Sequence, residues 1–132
     1  MYTIEKTDYG FKLTFGGFIQ KQEMVQWLTE SERVLATTPR VSGLLIDMSS
    51  LKPLPEESQA ELKRGQKLYK AKGVARIAVV LATSTLKMQF TRIGKETGVY
   101  QNERYLDTSD PDWERKGIDW IKHGLDPDKS AT

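Results

Sequence analysis

Polar and apolar positions change period several times along the chain, and each change marks a new element. Tyr2–Lys6 alternates and is rich in strand-favouring residues, Thr7-Asp8-Tyr9-Gly10 supplies turn chemistry, and Phe11–Phe15 alternates again. A hairpin is the reading of that order. Gly16-Gly17 is expected to break the ladder and let the chain leave it. From Lys21 to Thr37 the spacing becomes helical, with Met24, Leu28, Ser31 and Leu35 on one face. Val25 lies beside that face, Trp27 covers its flank, and Pro39 ends the helix.

The stretch Val41–Ser58 organises the rest of the chain. Gly43-Leu44-Leu45-Ile46 has no alternation, the pattern of a strand covered on both faces, so a buried strand is predicted over Gly43–Met48. Its loop, Ser49–Leu54, is expected to expose Leu51 and Leu54. Two starts are open for the next helix. Pro55 can be the first helical residue with Glu56 and Glu57 near the positive helix end, or Ser58-Gln59-Ala60-Glu61 can form a capping box. Either places a helix over about 58–72, ending before Gly73.

Val74–Ala82 is the most hydrophobic segment and is expected to be a central strand. Ser84 can cap a third helix with Leu86, Phe90, Ile93 and Thr97 on its buried face, closed by Gly98. Arg104–Leu106 reads as a short last strand. The last helix has Asp110 as cap, Pro111 at its first position, a stripe of Trp113, Gly117, Trp120 and Ile121, and stops at Gly124 and Pro127. A hairpin followed by alternating helices and strands predicts an α/β fold. It is a single-layer, mostly parallel sheet of about five strands with an N-terminal antiparallel hairpin and about four helices. One domain over 1–125 and a disordered tail over 126–132 complete the reading.

Length and composition narrow the function. A chain of 132 residues suffices for one core, and with no cysteine there is neither a disulfide framework nor a thiolate zinc site. The longest apolar run, Ile77–Ala82, falls far short of the ~20 residues a bilayer span needs. The N-terminus has no basic start and apolar run of a signal peptide. A cytoplasmic protein without integral membrane association is the expectation. The formal net charge of +2 points to no nucleic-acid partner, but its distribution is uneven. Lys63, Arg64, Lys67, Lys70, Lys72 and Arg76 follow one another with no acid between them, whereas acids predominate from Glu103 onward.

The order of elements, together with particular residues, resembles the SpoIIAA-like (STAS-type) domains, and especially their small stand-alone bacterial branch. That branch is related in fold to the lipid-binding Sec14 (CRAL-TRIO) module. The resemblance is carried by Gly16-Gly17, by Leu44-Leu45-Ile46-Asp47-Met48-Ser49, by Arg76-Ile77-Ala78-Val79-Val80, and by Arg104-Tyr105-Leu106 before a helix with Trp113 and Asp119-Trp120-Ile121. In anti-sigma-factor antagonists of this fold an Asp-Ser pair at the start of the second helix carries a phosphorylated serine. Counted from Asp47, that pair falls near Pro55 and Glu56, where no hydroxyl stands, and Ser58 comes two positions later. Glutamate carries one negative charge against about −1.5 to −2 for phosphoserine, so a phosphoserine switch at that position is not expected.

The candidate chemistry is sparse. Asp47, Ser49, Ser50, Thr83, Ser84, Thr108 and Ser109 belong at the carboxyl edge of the sheet, where they serve either an anion site or ordinary caps and turns. The single histidine, His123, falls in the last turn of the last helix, a position that favours positive charge. Glu56 and Glu57 are adjacent and diverge by about 100° on a helix, so they are no facing carboxylate pair. No catalytic, metal or cofactor constellation is read from the sequence. The reading is a non-catalytic interaction or regulatory module with a protein partner, a homodimer being one option. Its docking candidates are Asp47, Ser49, Ser50, Leu51, Leu54, Glu56, Glu57 and Ser58 of the loop and Lys63, Lys67 and Lys70 of the basic helix. The alternative is a carrier or sensor of a small apolar, lipid-like ligand, suggested by the Sec14 relation and the aromatic content.

Overall fold

A computed structural model describes residues 1–129, and of Thr97 only the backbone. The chain runs β1 (Tyr2–Thr7), β2 (Gly10–Gly17), α1 (Lys21–Ala36), β3 (Gly43–Leu51), α2 (Glu56–Ala71), β4 (Arg76–Leu81), α3 (Ser84–Thr97), a short 3₁₀ turn (Val99–Gln101), β5 (Glu103–Asp107) and α4 (Trp113–His123). The five strands form one sheet in the order β1-β2-β3-β4-β5. β1 pairs with β2 antiparallel and the remaining pairs are parallel. This is the α/β architecture that the alternation of periods predicts.

The sheet separates two apolar clusters. On one face Phe11, Leu13, Phe15, Leu44, Ile46, Ile77 and Val79 pack beneath Met24 and Trp27 of α1 and Tyr69 of α2. On the other, Leu45, Ala78, Val80 and Leu106 pack beneath Trp120 and Ile121 of α4. Successive residues of β3 and β4 therefore point to different clusters, which is why their apolar runs show no alternation. β3 holds the middle of the sheet, and β4, expected to be central, lies between it and β5.

Several local expectations change. Gly16-Gly17 ends the pairing with β1 but not the strand: Gly16 pairs with Ser50 and Gly17 with Leu51 after a register shift, extending β3 to Leu51. A Cβ at Gly16 would lie 2.7 Å from the Ser50 hydroxyl, so a larger residue there would have to turn that side chain aside. Leu51 and Leu54, expected to be exposed, are half-buried against the first cluster. Trp27 lies at the centre of the core, only 1% exposed, while Val25 faces outward. The expected flank and stripe of α1 are thus partly exchanged.

Pro55 is the cap position of α2 and Glu56 its first residue. Ser58 lies one turn in, fully buried, with its hydroxyl donating to the Ile19 carbonyl at 3.2 Å, so the capping box does not form. Thr83, rather than Ser84, caps α3 by accepting from the Leu86 N–H at 3.1 Å. Asp112, rather than Asp110, holds the cap position of α4, and Asp110 instead accepts from the Asp112 N–H in the preceding turn.

The largest departure concerns α3. Leu86, Phe90 and Ile93, expected to be its buried face, are exposed, as is Met88; the side chain of Thr97, grouped with that face, lies outside the described residues. The helix approaches the sheet through Gly94, where a Cβ would lie 2.9 Å from the Tyr105 hydroxyl. A glycine contact sets a close approach that larger apolar side chains cannot share. Residues 126–129, within the tail expected to be disordered, are held against the body by Asp126 and Asp128. Residues 130–132 of that tail lie outside the described residues.

Candidate functional site

Parallel strands bring the ends of β2, β3, β4 and β5 and the starts of the four helices to one edge of the sheet. Of the polar residues expected there, Ser50 and Ser84 are exposed, and the others are spent on local structure. Asp47 accepts from the Ser49 N–H at 2.9 Å and from its hydroxyl at 2.6 Å. Asp107 repeats the arrangement with the Ser109 N–H at 2.9 Å and the Ser109 hydroxyl. The Thr108 hydroxyl donates to the Ala82 carbonyl at 3.1 Å. These are turn and cap roles, and they leave no set of convergent donors for an anion. No group of three or more His, Cys, Asp or Glu side chains is placed to hold a metal ion among the described residues.

The docking candidates divide into three sets. Ser58 is turned inward and contributes nothing to the surface. Asp47 and Ser49 are half-buried, and Asp47 alternates with Ile46 onto the α4 side of the sheet. Ser50, Glu56 and Glu57 are exposed, with Leu51 and Leu54 showing only part of their side chains. Beside this loop, the Lys52 N–H donates to the Gly17 carbonyl at 3.0 Å, tying it to the start of the β2–α1 connection. The next residue of that connection, Phe18, is 78% exposed. Sequence reading missed Phe18 because it follows two glycines and belongs to no periodic stripe.

Lys63, Lys67 and Lys70 lie exposed on the outer side of α2, away from the buried Gly65 and Tyr69. None of them is in an ion pair among the described residues, whereas Lys12, Arg64, Arg104, Lys116 and Lys122 each meet an acid. Besides Asp107, two carboxylates are buried within the fold. Glu61 is 6% exposed and pairs with Arg64 at 3.2 Å. Glu103 accepts from the Tyr105 hydroxyl at 2.6 Å, and burial followed by that bond pushes the phenol well above its usual range. His123 is exposed in the last turn of α4.

A second polar cluster, not anticipated from the sequence, lies where the chain beyond α4 crosses β5. The Arg104 guanidinium is 3.8 Å from the centre of the Tyr100 ring and 4.2 Å from that of Trp120. Its Nε donates to Asp126 Oδ1 at 2.8 Å and its Nη2 to Asp126 Oδ2 at 3.1 Å. The guanidinium bond holds the Asp126 carboxyl below the usual carboxylate range. The Tyr100 hydroxyl donates to Asp128, and burial together with that bond pushes its pKa up to about 12.

No family model matches this sequence, and no curated protein matches it. Among solved structures, the chain is similar to an uncharacterized protein from Shewanella loihica PV-4, described as a DUF3478 family member with a SpoIIAA-like fold. The TM-score is 0.62 at 22% identity, covering 92% of each chain. The chain thus has a SpoIIAA-like fold, as its residues suggest. No helix among the described residues is long and apolar enough to cross a membrane.

Proposed function

We propose that the protein is a non-catalytic regulatory or interaction module of the cytoplasm that docks an acidic protein partner. Its docking surface is the β3–α2 loop with Phe18 beside it, continuing along α2. The observation that carries this reading is the row of Lys63, Lys67 and Lys70, exposed along one side of α2 and, among the described residues, in no ion pair, in a stretch of helix whose only acid, Glu61, is buried against Arg64. Spaced i, i+4 and i+7, the three lie along one side of the helix and repel one another mildly. Apart from the small helix-end gain of Lys70 in the last turn, they contribute little to stability, so a role outside the folded chain accounts for the row better. Charges exposed in this way act mainly on association rate, and their effect weakens with salt.

The test replaces Lys63, Lys67 and Lys70 together by Glu and compares affinity capture with the wild type across a salt series. The melting temperature is expected to stay within a few degrees, because no internal contact is lost, while capture falls away at low salt. Equal capture by both proteins at every salt concentration refutes the docking surface.

The carrier or sensor of a small apolar ligand is favoured by a separate observation. Leu86 and Phe90 are more than one-third exposed on α3, and Ile93 is 50% exposed. Phe90 lies 5.8 Å from the Tyr105 ring, so a ligand seated there would meet an aromatic floor. Saturable fatty-acid binding that is lost in Phe90→Ser is the expected result on this reading. Native mass spectrometry and titration showing no bound acyl chain rule it out.

A further inference from the structure

The cluster around Arg104 has the construction of a receptor with its ligand in place. Arg104 is fixed without help from the tail: its Nη1 donates to the Tyr100 and Glu103 carbonyls, and the Tyr100 and Trp120 rings hold its two faces. Lys87 and Lys95 add positive charge beside it, Lys87 at 3.9 Å from Asp128 and Lys95 at 5.0 Å over the Tyr100 ring. The forked guanidinium meets Asp126 with two parallel bonds, the geometry in which arginine recognises a carboxylate. Asp128 satisfies the Tyr100 hydroxyl two residues on, and its N–H donates back to Asp126 at 2.9 Å.

The ligand side is built differently. Beyond α4 the segment has little apolar anchorage, since Leu125 is 58% exposed. The bonds that tie 126–128 to the body run through the two carboxylates. A rigid cationic seat and a short segment attached by its charges can part without disturbing either core cluster, and their contact weakens with salt.

We infer that the Arg104 clamp is a binding site for an acidic Asp-x-Asp peptide segment, which the chain's own Asp126-Pro127-Asp128 occupies in cis and thereby closes to partners. This site is distinct from the α2 surface and does not depend on it. A tethered segment faces its site at an effective concentration of about millimolar or more, so a peptide in trans competes poorly until the tail is released.

The probe is the labelled hexapeptide Gly-Leu-Asp-Pro-Asp-Lys, the sequence of 124–129. Fluorescence anisotropy is measured with the full chain and with its Asp126→Asn, Asp128→Asn double variant. The variant is expected to bind the peptide saturably, at least about tenfold more tightly than the wild type, with affinity falling as salt rises. A peptide with Asn in both positions should not bind. Equal binding by the two proteins, or none by the variant, overturns the inference. A second measurement uses the wild type alone and does not require the variant to fold. Amide hydrogen exchange at Asp128 and Lys129 should quicken with a large excess of the Asp peptide and stay unchanged with the Asn peptide. Unchanged exchange with both peptides also overturns it.

Discussion

Val79→Asp is expected to leave no soluble folded protein. Val79 is 5% exposed in β4, paired with Ile46 on one side and Tyr105 on the other. It points into the cluster beneath α1 and α2. A carboxylate there would have no cation within the core and no water. Leaving it ionised costs several kcal/mol, and neutralising it still buries an unsatisfied acid. A domain is stable by only about 5–15 kcal/mol in total, so one such charge removes much or all of it. Expression, solubility and thermal melting of the variant measure this directly. A soluble protein melting like the wild type would show that the face of β4 is misassigned.

Trp27 and Gly65 are expected to show a reversal of sign. The Trp27 ring stands edge-on to Phe15 at 5.2 Å and stacks over Tyr69 at 6.2 Å. Its indole N–H is buried without a partner among the described residues, which costs about 1–3 kcal/mol. Burying roughly 200 Å² of ring contributes about 5 kcal/mol, so packing wins. Trp27→Ala should therefore destabilise by about 3–5 kcal/mol and lower the melting temperature by roughly 10–20 °C.

Gly65 is the seat of that ring. A Cβ there would lie 2.0 Å from Cη2 and 2.1 Å from Cζ3 of Trp27. Alanine in a helix interior usually gains up to about 1 kcal/mol over glycine. Here the ring is held by Phe15 and Tyr69 and cannot swing aside, so Gly65→Ala should cost about 1–3 kcal/mol in the wild type. In the Trp27→Ala background the obstacle is gone, and the same change should be neutral or stabilising. Denaturant melts of the four proteins give the coupling. A destabilising Gly65→Ala in both backgrounds would mean that something other than the ring fills that space.

The two positions also show how far a sequence reads by itself. Helical spacing places Gly65 and Tyr69 on the inner side of α2, and it places Trp27 off the stripe of α1. Spacing along one helix assumes a flat partner. The partner of α1 is both the sheet and α2, so its buried arc includes Trp27, and the glycine that admits the ring lies on the other helix. The same limit applies to α3. Its stripe of Leu86, Phe90 and Ile93 is a regular pattern, but Gly94 over Tyr105 decides which side meets the sheet. Ser58 illustrates the reverse case: a sound capping pattern becomes a buried hydroxyl because Pro55 starts the helix one turn earlier.

The sequence by itself determined the order and type of the elements, the hairpin, the parallel sheet and the buried middle strands. Those depend on backbone geometry and on the period at which apolar side chains recur, both local properties. It also determined that the row on α2 is basic, because three lysines at helical spacing share a side whatever packs beneath. Only the tertiary structure decided which cations are already paired, that Phe18 stands exposed beside the loop, and that Arg104 meets Asp126. Arg104 and Asp126 are separated in sequence by a strand end, a turn and the whole of α4. No local pattern relates them, and their contact exists because α4 folds back across the sheet and delivers residues 126–128 to β5.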